Sequence, residues 1–374
     1  MIKHKQKIII FIVIFLVPIN IHLITYSSEL MFYNMAVSKG LSQTSVSTIY
    51  QDSSGYIWIG TKDGLNKYNG FNLEIYNKGF SEKRNIVDGY ITCLNEDLNK
   101  NLWVRANDGL SKINLDTNKI TNYTINTSSL LSSKIRDIKI TSNGNTIIAT
   151  SNGLYRYDKF EDDFISLIQE NFKPSSSNIL YIEFYNNTEI YMISPNCLFK
   201  YDMTKDKYST IDNELIATIA ENNTFTAFSL HKDSIYLGTL SDGLYVYNIK
   251  TGQVDKEYKL YTEGSSDPSN TVNNIYIDET GIYVGTKKGL YIHKKDGSQK
   301  HFTHSFYDKY SLIDDNISYI MKDSSGLLWV GTFSGISTLD CNLEITYYND
   351  FFVNPSISNN NIVIGTYEDV DKKL

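Results

Sequence analysis

The stretch Asp52-Ser53-Ser54-Gly55-Tyr56-Ile57-Trp58-Ile59-Gly60-Thr61-Lys62-Asp63-Gly64-Leu65 returns near the far end of the chain. There it reads Asp323-Ser324-Ser325-Gly326-Leu327-Leu328-Trp329-Val330-Gly331-Thr332-Phe333-Ser334-Gly335-Ile336. Five more degenerate copies lie between them. Aligned on the glycine of the second turn, the copies fall at Gly64, Gly109, Gly153, Gly243, Gly289 and Gly335, with Cys197 in the glycine's place in the fourth. The spacings are 45, 44, 44, 46, 46 and 46 residues. A period this regular over seven copies marks a repeat protein, and any function has to be built on that repeat.

Within each copy the apolar period is two, the period of a strand. Val46, Ile49 and Tyr50 precede the first turn, as Ile317, Ile320 and Met321 precede its twin. A second strand follows, such as Tyr56–Thr61, and then an Asp-Gly, Asn-Gly, Lys-Gly or Ser-Gly pair that supplies the positive φ of a tight hairpin. The third strand carries Leu-x-x-Tyr, as in Leu65–Tyr68 and Leu244–Tyr247. A turn such as Asn69-Gly70 or Thr251-Gly252 leads to a fourth strand, such as Leu73–Tyr76 or Tyr258–Tyr261. Four short antiparallel strands in about 45 residues make one propeller blade, and no helix is required. The fold predicted is all-β: a seven-bladed β-propeller over residues 30–345 with four-stranded antiparallel blades. The repeats lie near 41–85, 86–130, 131–174, 175–219, 220–266, 267–311 and 312–350.

Trp58, Trp103 and Trp329 share one position of the second strand, filled elsewhere by Ile147, Tyr191, Tyr236 and Tyr283. This is read as the large residue wedged between adjacent blades, each burial contributing roughly 1.5–3 kcal/mol. The glycine two residues later, Gly60 or Gly331, is expected to let neighbouring strands approach near the axis. Asp52 and Asp323, with Gly55 and Gly326, read as turn formers, each aspartate capping its own turn.

The chain of 374 residues is 41% hydrophobic and 21% charged, a globular composition. With 29 Tyr and only 5 Pro it suits strands. The net charge of −7 comes with no basic stripe, which argues against binding nucleic acid through its phosphates. Cys93, Cys197 and Cys341 form no CxxC pair and read as small buried residues.

Lys3, Lys5 and Lys7 precede an apolar run from Ile8 that softens after Pro18. Residues 1–28 are therefore expected to be an export signal, cleaved near Ser27-Ser28 or kept as an anchor. Leu30–Asn34 reads as a lone fourth strand that pairs with the seventh blade and closes the ring, in competition with Glu344–Tyr348. Residues 351–374 read as the run-in of a truncated further repeat, the start of a second propeller, so the chain is expected to continue.

The phrase Gly40-Leu41-Ser42-Gln43, Val46, Ile49, Gln51-Asp52, Gly55, Ile57-Trp58-Ile59-Gly60-Thr61, Gly64-Leu65 resembles the two-component regulator propeller repeat. The resemblance runs over residues 30–374 and is sharpest in the first and seventh copies. It implies an export signal, two seven-bladed propellers, a β-sandwich and a transmembrane helix. Beyond these would come a histidine kinase or diguanylate cyclase output that is missing from this chain. The full-length protein is read as signalling as a homodimer at the extracytoplasmic side of the membrane. Two copies depart from the pattern: Val104-Arg105-Ala106 replaces Val-Gly-Thr in the second, and Ile193-Ser194-Pro195-Asn196-Cys197 stands in the fourth.

No catalytic motif is present, no cofactor or metal is called for, and the chain itself is read as not an enzyme. His301 and His304 are three apart and should point to opposite faces of a strand, away from a shared metal. Binding is placed instead on the face where the second-to-third turns and the interblade linkers emerge, since variable loops on a rigid frame carry selection. The candidate residues are Lys62, Asp63, Arg84, Arg105, Asp108, Asn152, Lys173, Asp242, Lys288, Tyr307 and Phe333. Rings beside Arg, Asp and Asn suit an oligosaccharide or a peptide. Arg105 stands out because a charge replaces the repeat glycine near the axis. The primary reading is an extracytoplasmic ligand-sensing propeller of a signalling protein; the rivals are a secreted glycan-acting enzyme and a protein-interaction scaffold.

Overall fold

Alternating apolar residues between glycine-bearing turns fold into short strands, which among the described residues form seven four-stranded sheets and one two-stranded ladder. The computed structural model describes residues 28–130, 134–167, 178–195, 197–258, 260, 271–341 and 345–346. Blade 1 comprises Val46–Gln51, Ile57–Thr61, Gly64–Tyr68 and Leu73–Tyr76, antiparallel in chain order. Blades 2 to 6 repeat this pattern, their first strands being Ile91–Glu96, Ile135–Ile140, Tyr181–Phe184, Phe225–His231 and Val272–Ile277. The first strands pack side by side around the ring, and Ile317–Lys322 of blade 7 packs on Val46–Gln51 of blade 1.

Blade 7 takes three strands from its own repeat and the fourth from the other end of the chain. Phe32–Met35 pairs antiparallel with Ile336–Asp340, Phe32 opposite Leu339 and Met35 opposite Ile336. Phe32 is 2% exposed in the core between blades 6 and 7. Asn34 fixes the register: its Nδ2 donates to the Ser311 carbonyl at 3.0 Å and its Oδ1 accepts the Ser337 hydroxyl at 2.6 Å. The described residues of the rival segment, Ile345 and Thr346, do not enter this sheet. Ile345–Thr346 instead pairs with Ser28–Glu29, a two-stranded ladder in a separate unit of the chain.

The apolar core is divided among the seams. Trp58 packs on Ile86, Ile91 and Leu94 of blade 2, Trp103 on Ile135, Ile138 and Ile148 of blade 3, and Trp329 on Val46, Ile49 and Ile57 of blade 1. Ile147, Tyr191, Tyr236 and Tyr283 do the same at the other seams. The repeat glycines make this closeness possible. A Cβ on Gly60 would lie 2.7 Å from Ile91, and one on Gly331 would lie 2.8 Å from Val46, each the first core residue of the next blade.

Six of the seven first strands carry a register shift just after their first residue, as at Val46/Thr48 and Ile317/Tyr319. A bulge re-aims the extra side chain. Here it is turned onto the next blade: Ser47 donates to Ile91 O, Thr226 to Val272 O at 2.6 Å, Asn273 to Ile317 O at 2.7 Å and Ser318 to Val46 O at 2.7 Å. These bonds tie each bulge to the first strand of the next blade.

Two elements differ from the sequence reading. A helix, Glu214–Asn222, fills the linker between blades 4 and 5. Asn213 caps it by accepting from Ile216 N at 3.0 Å, and Ile216 and Ile219, three apart, seat it on Phe225 and Tyr191. The fourth strand of blade 5 runs Gln253–Tyr258, earlier than Tyr258–Tyr261, because it starts directly after the Thr251-Gly252 turn.

Candidate functional site

The loop face is built on a threonine. In blade 1 the Thr61 hydroxyl donates to Gly64 O at 2.9 Å and accepts the Asp63 N–H at 3.2 Å, locking the turn between strands two and three. Thr150, Thr239, Thr286 and Thr332 repeat the same pair of bonds and accept from Asn152, Asp242, Lys288 and Ser334. All five threonines are fully buried. With the backbone fixed from below, the two turn residues are left to project. In blade 4 Ser194 substitutes, accepting from Cys197 N at 3.1 Å; in blade 2 Ala106 cannot.

On this frame the structure brings some of the candidate residues together. Lys62 sits with its ammonium 4.6 Å above the Phe333 ring, so the hairpins of blades 1 and 7 meet across the closing seam. Asp63 accepts from Asn77 Nδ2 at 2.8 Å, and Asp108 pairs with Lys78 at 3.4 Å. These contacts tie each hairpin to the linker beside it. Phe306 and Tyr307 stand fully in solvent on the linker between blades 6 and 7, at 93% and 102% exposure. Asn152 and Lys288 are exposed at their hairpin tips, and Asp242 is half-buried. Arg84 is half-buried at the end of the short 3-10 turn Glu82–Arg84. Lys173 lies outside the described residues.

Arg105 is set apart from this group. It occupies the glycine position of blade 2, and its Nη1 donates to Arg136 O in blade 3 at 3.0 Å. Its buried Nε has no partner among the described residues, and neither has the Thr92 hydroxyl, which stands where Ser47 and Ser318 bridge their seams. Burial lowers its pKa, opposed by Cys93 and Asp137. Asp137 is already engaged: it accepts from Ile138 N at 2.9 Å, Ile182 N at 3.1 Å and the Cys93 thiol at 3.5 Å. Burial, then Asp137, pushes the Cys93 thiol up to about 12, against ionisation. One step along the same wall, Lys139 and Glu183 pair at 2.7 Å between blades 3 and 4. Burial works against the Lys139 charge, but Glu183 and Asp137 outweigh it and raise its pKa.

His301 and His304 go separate ways. His301 stacks on Tyr291 with centroids 3.9 Å apart, while His304 Nδ1 lies 2.7 Å from Leu312 O. Among the described residues no group of three or more His, Cys, Asp or Glu is placed to hold a metal ion. No helix among them is long and apolar enough to cross a membrane.

Sequence reasoning missed the locking role of the threonines and a third turn aspartate. Asp97, 45 residues after Asp52, takes the Trp103 indole N–H at 3.0 Å. The repeat spacing carried that signal, but Asp97-Leu98-Asn99-Lys100 lacks the glycine that made the other two turns visible.

Comparison with known proteins fits this architecture. The family model described as two component regulator propeller matches residues 40–63 and 311–334, in the first and seventh repeats. A 71-residue segment is 41% identical to histidine kinase P4 of Formosa agariphila; it is 19% of this chain and 5% of that protein. Among solved structures, the extracellular domain of a putative hybrid two-component system from B. thetaiotaomicron superposes with a TM-score of 0.68 at 19% identity. The match covers 83% of this chain and 42% of that one. A putative one-component system of the same organism gives 0.68 at 22% identity, covering 83% and 40%. A streptogramin B lyase gives 0.61 at 13% identity, covering 83% and 97%. At these identities the structures share the fold, and this chain spans about two fifths of the two extracellular domains. Repeat, closure and matched segments agree: the chain is a seven-bladed propeller whose first and seventh repeats match the two component regulator propeller model.

Proposed function

We propose that this chain is the extracytoplasmic ligand-sensing propeller of a transmembrane signalling protein. The observation that carries the reading is the match of the two-component regulator repeat to the blades on either side of the closing seam. The likeness to extracellular domains of signalling systems supports it. The ligand, an oligosaccharide or a peptide, would bind on the loop face, where Lys62, Phe333 and Tyr307 offer charge and rings above threonine-locked hairpins. Binding would bias the packing of two sensors in a homodimer and pass a shift through the membrane to a kinase or cyclase output. The N-terminal segment would direct export.

Thermal-shift screening of the purified chain against oligosaccharides and peptides tests this reading. A ligand that raises the melting temperature in the wild type, but not in Lys62→Ala or Phe333→Ala, is the expected result. Turnover of a glycan would establish the rival enzyme, and stabilisation by a protein partner alone would establish a scaffold.

A further inference from the structure

A groove of about 440 Å³ opens between blades 5 and 6, away from the residues singled out above. Its walls carry Tyr236 and a tilted Tyr258–His293 ring pair with centroids 4.7 Å apart, an aromatic wall for a sugar or other flat ligand to lie against. Ser234 and Ser298 line it with hydroxyls. Lys232, Lys294 and Lys295 line it with positive charge, beside the His231 ring and against Asp278. Asp278 is already neutralised by Lys322 from blade 7. The volume falls in the range of small-molecule sites.

Two of the lysines that line the groove already share a carboxylate, that of Glu279. Glu279 is gripped by Lys232 at 2.8 Å from blade 5 and by Lys295 at 2.8 Å from blade 6, with His231 Nε2 at 3.6 Å. Its side chain is 68% exposed, so little besides these cations keeps it there. The clamp spans a seam, and Lys294 beside it makes no ion pair among the described residues. A clamp of two ammonium groups around an exposed carboxylate can exchange that carboxylate for another. Exposed ion pairs are individually weak, so the exchange costs little.

We propose that this groove binds a small sugar acid of the uronate kind. Its carboxylate displaces Glu279 from the Lys232–Lys295 clamp, and its ring lies against Tyr236, Tyr258 and His293. The site is independent of the loop face. Neither a bare carboxylate nor a neutral sugar meets both walls.

Isothermal titration of the purified chain with D-glucuronate, D-glucose, acetate and benzoate tests the proposal. Glucuronate is expected to bind at least tenfold more tightly than the other three. Glu279→Gln should tighten it several-fold by emptying the clamp, and Lys295→Ala should weaken it tenfold or more. If Lys295→Ala fails to fold, the exposed Lys294→Ala serves, with a several-fold loss expected. Lys62→Ala should leave glucuronate binding unchanged. Absence of glucuronate binding, equal binding of glucose, acetate or benzoate, weakening by Glu279→Gln, or loss in Lys62→Ala would each overturn the proposal. The last would move the ligand to the loop face.

Discussion

Trp58 donates its indole N–H to the Asp52 carboxylate at 2.7 Å, tying the wedge between two blades to the turn six residues before it. The other Asp52 oxygen accepts from Ser54 N at 3.0 Å and Tyr56 N at 2.9 Å, so one side chain holds turn and wedge together. Asp97 with Trp103 and Asp323 with Trp329 repeat the arrangement at 3.0 and 2.8 Å.

Asp52→Ala should therefore destabilise the fold by about 1–3 kcal/mol, because it strands a wholly buried indole N–H and two turn amides. Asp52→Asn should recover part of the loss. Urea unfolding measures both. A loss under about 0.5 kcal/mol, the scale of a surface substitution, would show that the pair is incidental.

Gly60→Ala should cost about 1–3 kcal/mol through overpacking. Its Cβ would come 2.6 Å from the Thr48 methyl and 2.7 Å from Ile91. Thermal denaturation of this variant beside Gly70→Ala, whose Cβ would meet nothing within 4 Å, separates steric from conformational cost.

Asp162 makes a prediction about acid. Burial alone would raise its pKa, but hydrogen bonds from Lys112, Tyr123 and Tyr157 outweigh it and hold the group at about 2 against an ordinary 3.8. A depressed carboxyl stabilises the fold above its ordinary range and loses that contribution as pH falls from about 4 through about 2. The melting temperature should fall across this window, and less steeply in Asp162→Asn. Parallel profiles for the two proteins would show that the clasp between blades 2 and 3 adds nothing.

Closure by the N-terminal strand predicts that Phe32→Ala costs about 3–5 kcal/mol, the loss for a buried phenylalanine. Tyr33→Ala, next to it but 55% exposed, should stay within about 0.5 kcal/mol. Equal effects on the unfolding midpoint would contradict the pairing.

What the sequence made legible was whatever recurs. The blade count, the Trp58 wedge, the Gly60 approach and the Asp52 cap each follow from local chemistry repeated at fixed spacing. Within Asp52–Tyr68 the Asp52 turn, the Trp58 wedge and the Thr61 lock all serve the frame, and Lys62 and Asp63 are exposed at the hairpin tip as Ser53 to Tyr56 are at the turn before it. Arg105 was visible as a departure from the pattern, yet its place between blades depends on Arg136, which only the ring brings near. The helix Glu214–Asn222 escaped because it occurs once, and a single turn-length signal loses to a seven-fold strand pattern. The groove between blades 5 and 6 escaped for a different reason. His231 and His293 are 62 residues apart and fall at different positions of the repeat, so no spacing connects them.

Hydrogen exchange on the purified chain, with and without the oligosaccharide or peptide that raises its melting temperature, tests the sensing account most directly. The account predicts slowed exchange in the hairpins around Lys62 and Phe333 and in the linker around Tyr307, with the Asp52 and Asp323 turns unchanged. Protection confined to those aspartate turns, or a ligand that is consumed rather than held, would contradict it.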